Sequence, residues 1–345
     1  MTRFHDPEPA TPDLLIVGAG PTAISIGAAA RRAGLSVLLV DSGPLCAGLL
    51  RFPRLMTYFS TRDLLEIADV PFSIPNAKPN REEAVVYYQG VARRYRLPLA
   101  LYEDVDRVER RDDGFAVHTT YRGVARVRPA RRVVLATGYF GQPKMLGVPG
   151  EELDWVRSYY DEPYPHYGRR VVLVGGGNTA SEAALELWRN GVEVTVIHRR
   201  AELKKSVKYW LKPDLENRIA EGSIRARFET EVRAFVEDGT VRRLLLDGPE
   251  GATSLETDAV YVLIGYTPDA DFERRCGIEI DDETLVPRFD PETCETNVPG
   301  LYVAGTIQAG RRTNRIFIEN AREHGDRIVA HVMRASAGTV GQRTV

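Results

Sequence analysis

Two stretches of this chain repeat one design, and that repetition most narrows what it can fold into. An apolar run, Leu14 to Val17, leads into Gly18-Ala19-Gly20-Pro21-Thr22-Ala23, an alanine-rich stretch to Arg32 and a second apolar run, Ser36 to Val40. The order recurs as Arg170 to Val174, Gly175-Gly176-Gly177-Asn178-Thr179-Ala180, Ser181 to Asn190, and Glu193 to Ile197. Each copy predicts a buried strand, a glycine turn, a helix and a second buried strand. Gly34 and Gly191 stand where such helices end, the place where a left-handed glycine caps the last turn. Strand–helix–strand units build parallel sheets, so the fold class is α/β. The chain has 345 residues, more than one core comfortably holds, and two Rossmann-like, three-layer ββα dinucleotide-binding domains are predicted.

In such a turn the first glycine permits the tight bend and the second lets backbone approach a diphosphate. The third small residue allows close helix–strand packing, and the diphosphate rests on the helix N-terminus. The ends of the second strands separate the two sites. The first ends at Val40-Asp41, whose carboxylate accepts from a ribose 2′-hydroxyl and repels a 2′-phosphate, which favours FAD. The second ends at Ile197-His198-Arg199-Arg200, with no acid and two guanidinium groups suited to a 2′-phosphate, which favours NADPH.

Elsewhere, Leu99 to Thr120 alternates like antiparallel strands turning at Asp112-Asp113-Gly114, and Val232 to Leu246 reads as a hairpin turning at Asp238-Gly239. Buried strands are predicted at Val133 to Gly138, Ala259 to Gly265 and Gly300 to Gly305, and a helix from about Asn314 to Arg334. Proline and glycine cluster over 141–150, and Thr267-Pro268-Asp269 opens a return linker. The reading is an FAD-binding domain of 1–148 and 264–345 with an NADPH-binding domain, 149–263, inserted into it. Residues 1–12 and 336–345 read as loose ends, and the 126–132 arginine group as a solvated strand edge.

Net charge is −2, which gives no footprint for nucleic acid or an anionic membrane. No apolar stretch approaches the roughly 20 residues of a membrane span. The three cysteines, Cys46, Cys276 and Cys294, form no CxxC pair and no secreted disulfide framework. A cytoplasmic protein follows.

The stretch Val298 to Thr306 resembles the second FAD-contacting motif of two-dinucleotide-binding flavoproteins, with Thr306 where that motif usually has Asp. Beyond the glycine turns, Met56 to Thr61, Glu66 to Phe72, Lys78-Pro79, Glu295 to Gly300, Ile316 to Asn320 and His324-Gly325 are distinctive. On these, from about Leu14 to Met333, the chain resembles the YpdA-type bacillithiol-disulfide reductases within the thioredoxin-reductase-like flavoproteins. The resemblance implies a homodimer or homotetramer with one FAD per subunit and NADPH as donor. The implied acceptor is a low-molecular-weight thiol disulfide or a small redox protein. The FAD contacts it implies, with the motif reading, are Gly18, Gly20, Pro21, Thr22, Ala23, Asp41, Ser42, Val105, Thr137, Gly138, Gly305, Thr306 and Ile316. Those for NADPH are Gly175, Gly177, Asn178, Thr179, Ala180, His198, Arg199, Arg200 and Gly265.

One departure matters. The resembled family carries a cysteine after the Gly-x-Gly-Pro of the first turn, and here the residue is Thr22. A hydroxyl cannot attack a disulfide; a thiolate is required. Cys46, just past Asp41, is the candidate replacement, against its reading as an ordinary loop cysteine. His324 is a candidate proton donor beside the flavin, against a structural hydrogen bond. A ferredoxin or flavodoxin reductase needs no cysteine and is the alternative function. A flavin monooxygenase, lacking its FxGxxxH stretch here, and an NADPH-binding redox sensor rank lower.

Overall fold

A computed structural model describes residues 5–341. They form two compact units: one of residues up to Leu50, Met56–Gln142 and from Thr267 onward, the other of Arg51–Leu55 and Pro143–Tyr266. The crossings lie a few residues from those read in the sequence. The five residues 51–55 join the second unit, which composition did not signal.

In the first unit a parallel sheet has the order Leu301–Val303, Val133–Leu135, Leu14–Val17, Val37–Asp41, Leu99–Leu101. In the second the order is Val156–Arg157, Ala259–Val262, Arg170–Val174, Glu193–Ile197, Arg225–Arg227. The last four strands of each order match in chain order, so the repeat seen in sequence is a repeat of architecture. In each unit a three-stranded antiparallel sheet is inserted at the same place, before the strand that pairs beside the first. One is Glu103–Arg111, Gly114–Tyr121 and Val124–Ala130; the other is Glu231–Asp238, Val241–Gly248 and Gly251–Thr257. The helices Pro21–Arg32 and Asn178–Arg189 follow the two glycine turns. Parallel strands, antiparallel sheet and helices make the three layers expected. In each unit the apolar side chains of the sheet interlock with the layers on either side, as Val17, Val40, Val117 and Val303 do in the first and Leu173, Ala183 and Val196 in the second.

Three local expectations are corrected. The helix expected from Asn314 is two: a short one, Ile318–Ala321, and a long one, His324–Gly341. The second packs so closely on Pro21–Arg32 that a Cβ on Gly325 would lie 3.1 Å from the Ile26 Cα. Residues 336–341, read as part of a loose end, continue that helix; 342–345 lie outside the described residues, as do 1–4. The leader from residue 6 onward is tied down rather than frayed. Asp6 N donates to Arg96 O (3.1 Å) and Arg131 N to Pro12 O (3.0 Å), while Asp6 pairs with Arg31 and Arg96. The 126–132 arginine group does begin on a mostly exposed edge strand, Val124–Ala130. Within it Arg128 forms a two-point ion pair with buried Glu103, both contacts 2.7 Å, and reaches Glu8 at 2.8 Å.

Candidate dinucleotide sites

The two glycine turns are built alike. Gly18 N donates to Val40 O (2.7 Å) and Gly175 N to Ile197 O (2.9 Å), closing each turn on the end of its second strand. Gly18 has φ +116°, and a Cβ there would lie 2.4 Å from Ala136 O. Gly175 has φ +150°, and its Cβ would lie 2.5 Å from Leu263 O. Only glycine fits, because a neighbouring strand's carbonyl occupies the space. Gly20, by contrast, faces open space, and neither Gly20 nor Gly177 caps its helix with a side chain. The first N–H groups of both helices are thus left for an anion.

At the end of Val37–Asp41 the two Asp41 carboxylate oxygens accept from Ala19 N (2.7 Å) and Gly43 N (2.8 Å). These bonds aim the carboxylate across the mouth of the first turn. Thr22, Gly138, Gly305 and Thr306 gather nearby. A Cβ on Gly305 would lie 3.0 Å from Thr22 Oγ1, and one on Gly138 3.6 Å from Thr306 Oγ1. Pro21 opens the helix, Ala23 is buried in it, and Ser42 and Thr137 are exposed at strand ends. Val105 sits instead at a bulge of the antiparallel sheet, against the first unit's core, and Ile316 precedes the short helix.

The second turn meets cations. Arg199 and Arg200 are exposed at the end of Glu193–Ile197. Lys204, which the sequence reading missed, returns to the turn: its N donates to Gly176 O (3.0 Å), and its Nζ would lie 3.9 Å from a Gly177 Cβ. Desolvation first, then Lys144, Arg200 and Arg199, hold the Lys204 ammonium below the usual lysine range. With Lys204, these make four cations gathered at one turn, an arrangement that awaits negative charge. His198 is buried against Gly176; desolvation, then Lys204 and the two arginines, lower its pKa and keep it neutral. Asn178 opens the helix and accepts from Lys208 N (2.9 Å), while Ala180 packs beneath Gly175. Thr179 is half-buried, and Gly265, at φ +104°, accepts from Lys144 N.

The proposed chemical groups fare differently. Cys46 is fully buried in a left-handed conformation (φ +65°), its N donating to Ala19 O. Burial, then Asp41, pushes its thiol up to about 12. Burial does the same to Cys276, also up to about 12, and raises Cys294. None of the three has the surroundings of an attacking thiolate. His324 Nδ1 accepts from Gly305 N (3.1 Å), and desolvation, with Arg327 adding and Glu323 opposing, lowers its pKa to about 4. The ring is therefore neutral with its proton on Nε2, and it braces the Gly305 turn.

The residues fit both groups: an uncapped helix end beside a held carboxylate for FAD, and an uncapped helix end beside four cations for NADPH. A family model described as pyridine nucleotide-disulphide oxidoreductase matches residues 15–305. The chain belongs to this family. It is similar to Bacilliredoxin reductase Bdr of Bacillus subtilis (strain 168), 36% identical over 321 residues, 93% of this chain and 97% of that protein. Among solved structures it is similar to Bacillithiol Disulfide Reductase Bdr (YpdA) from Bacillus cereus, with TM-score 0.89, 35% identity and coverage of 93% and 98%. The Staphylococcus aureus protein of that name gives TM-score 0.86 at 33% identity, covering 94% and 98%. As a family member the chain is an oxidoreductase that uses FAD and NADPH.

Proposed function

We propose that the protein reduces a low-molecular-weight thiol disulfide of the bacillithiol kind with electrons from NADPH, FAD sitting in the first unit and NADPH in the second. The observation that carries the assignment is charge: equivalent strand ends present a held carboxylate, Asp41, in one unit and Arg199, Arg200 and Lys204 in the other. When bound, FAD takes hydride from the nicotinamide and passes two electrons on. Asp41 holds the ribose, Arg199 and Arg200 hold the 2′-phosphate, and the helix ends hold the diphosphates. His324 keeps the Gly305 turn in shape.

Thr22 and three buried, protonated cysteines leave the chain without a thiolate for a mixed disulfide. The acceptor disulfide therefore takes two electrons and two protons to give two thiols without a covalent bond to this chain. We place the protein in the cytoplasm as a homodimer or homotetramer with no nucleic-acid or membrane partner. The net charge of −2 speaks against a nucleic-acid partner, and the resemblance to the YpdA-type reductases supports a homo-oligomer. Among the described residues no helix is long and apolar enough to cross a membrane.

NADPH oxidation is measured with bacillithiol disulfide, ferredoxin, flavodoxin and oxygen, before and after thiol alkylation of the folded protein. Turnover of the disulfide that survives alkylation is the expected result. Turnover confined to ferredoxin or flavodoxin replaces this reading with one-electron transfer through the flavin edge.

A further inference from the structure

The loop after the second nucleotide-binding strand holds more than cations. Beyond Arg200 the chain does not run directly into its next helix, Lys212–Ala220, but curls back over the glycine turn. Lys204 N donates to Gly176 O (3.0 Å), Val207 N to Lys204 O (3.0 Å) and Lys208 N to Oδ1 of Asn178 (2.9 Å), the first residue of its helix. Leu203 and Val207 are buried in the second unit's core, and Leu211 packs against it. The loop is therefore anchored from its inner side.

Its outer side carries two consecutive aromatic rings in solvent. Tyr209 is 82% exposed and Trp210 41%. The rings meet edge to face with centroids 4.8 Å apart, and Lys208 Nζ lies 5.8 Å from the Trp210 centroid. Two large adjoining aromatics in water are a costly arrangement that marks a surface with a use. Their place indicates which use. They directly follow the residue bonded to Asn178, beside an uncapped helix of twelve residues. Beneath that cradle lies His198, 6% exposed, with no hydrogen-bond partner for Nε2 and its ring 2.6 Å from where a Gly176 Cβ would stand.

We propose that Tyr209 and Trp210 form an aromatic cover over bound NADPH, packing on the nucleotide where its diphosphate meets the helix end. This rests on the assignment of NADPH to the second unit. The rings exclude water there, so that the helix N–H groups and Lys204 act on the diphosphate in a lower dielectric. The phenol O–H and the indole N–H stay at the wet edge while the ring faces pack inward.

The test is NADP⁺ binding to the purified flavoprotein, followed by calorimetry and by tryptophan emission. Wild type binds, with a fall in emission that is lost in W210F. Affinity drops about tenfold in W210A and Y209A and less in W210F, which keeps a ring. Flavin content and thermal midpoint stay at wild-type values, since both side chains are exposed. If wild type binds while W210A and Y209A bind within twofold of it, the cover is overturned and the nucleotide assignment stands. If W210A instead changes the oligomeric state at unchanged affinity, the pair belongs to a contact between copies, and the cover is likewise overturned. A wild-type protein that binds no NADP⁺ overturns both.

Discussion

Asp41 and the cations beyond Ile197 stand at equivalent positions of two similarly built units. One position selects against a phosphate and the other for it. Replacing Arg199 and Arg200 together by alanine is expected to raise KM for NADPH by an amount equal to about 1–3 kcal/mol, with NADH little affected. Steady-state kinetics with both donors checks this, and an unchanged preference for NADPH counts against the assignment. Asp41→Ala removes the acceptor for Ala19 N and Gly43 N as well as the ribose contact. The flavin-to-protein ratio after gel filtration should fall, and full occupancy would speak against the role. These residues were readable because each stands at a set distance from a strand end. Lys204 was not, although the Lys204-Lys205 pair stood in plain view, because only the path of a loop returns it to Gly176. The burial of Cys46 was not legible either: Ser42 to Gly48 reads as a loop, and only the folded chain, which brings Cys46 N to Ala19 O, encloses the thiol.

Among elements, the glycine turns hold two kinds of position, and the structure gives the physical reason for each. Gly18 is held at positive φ against Ala136 O, whereas Gly20 has nothing within 4 Å of a Cβ. Gly18→Ala should therefore destabilise the fold by about 1–3 kcal/mol, through strain and backbone overlap. Gly20→Ala should leave the denaturation midpoint near wild type and weaken flavin retention, because its Cβ stands where a diphosphate must approach. Chemical denaturation and flavin stoichiometry of the two variants separate the effects, and equal losses of stability would contradict the distinction. Strands of the repeat were legible because burial on both faces writes them as unbroken apolar runs. The third strand Gly251–Thr257 was not, and of Val124–Ala130 only the arginine group was read, as a solvated strand edge. Both are mostly exposed edges, so neither carries an apolar period. The late start of the last helix escaped notice because Thr313 and Asn314 are good N-cap types, yet Asn320 Oδ1 accepts instead from Phe317 N.

Across the whole molecule, the chain must leave the first unit and re-enter it, and the re-entry point carries a charge that folding opposes. Thr267 N donates to Gln142 O (3.0 Å), and Asp269 accepts from Gln142 Nε2 (3.2 Å) while capping Phe272 N (2.9 Å). One turn further, Glu273 is 1% exposed, and neither carboxylate oxygen has a hydrogen-bond partner. Burial, then Asp269, raises its pKa to about 8, against a weaker opposing pull from Arg274. In the unfolded chain the same group titrates near 4.3. A folded pKa above the unfolded one means that the stability of the neutral form is fully present below about pH 4 and is lost as pH rises through about 8. Glu273→Gln cannot ionise, so the difference in thermal midpoint between variant and wild type should be smallest near pH 5 and grow in the variant's favour toward pH 9. Groups that titrate in both proteins cancel in that difference. Parallel profiles across the range would show that Glu273 is not buried as an acid where the chain returns. Such a site is invisible in sequence, because Ala270 to Cys276 reads as a short, mostly charged helix and only packing on the strand Glu103–Arg111 turns one of its acids inward.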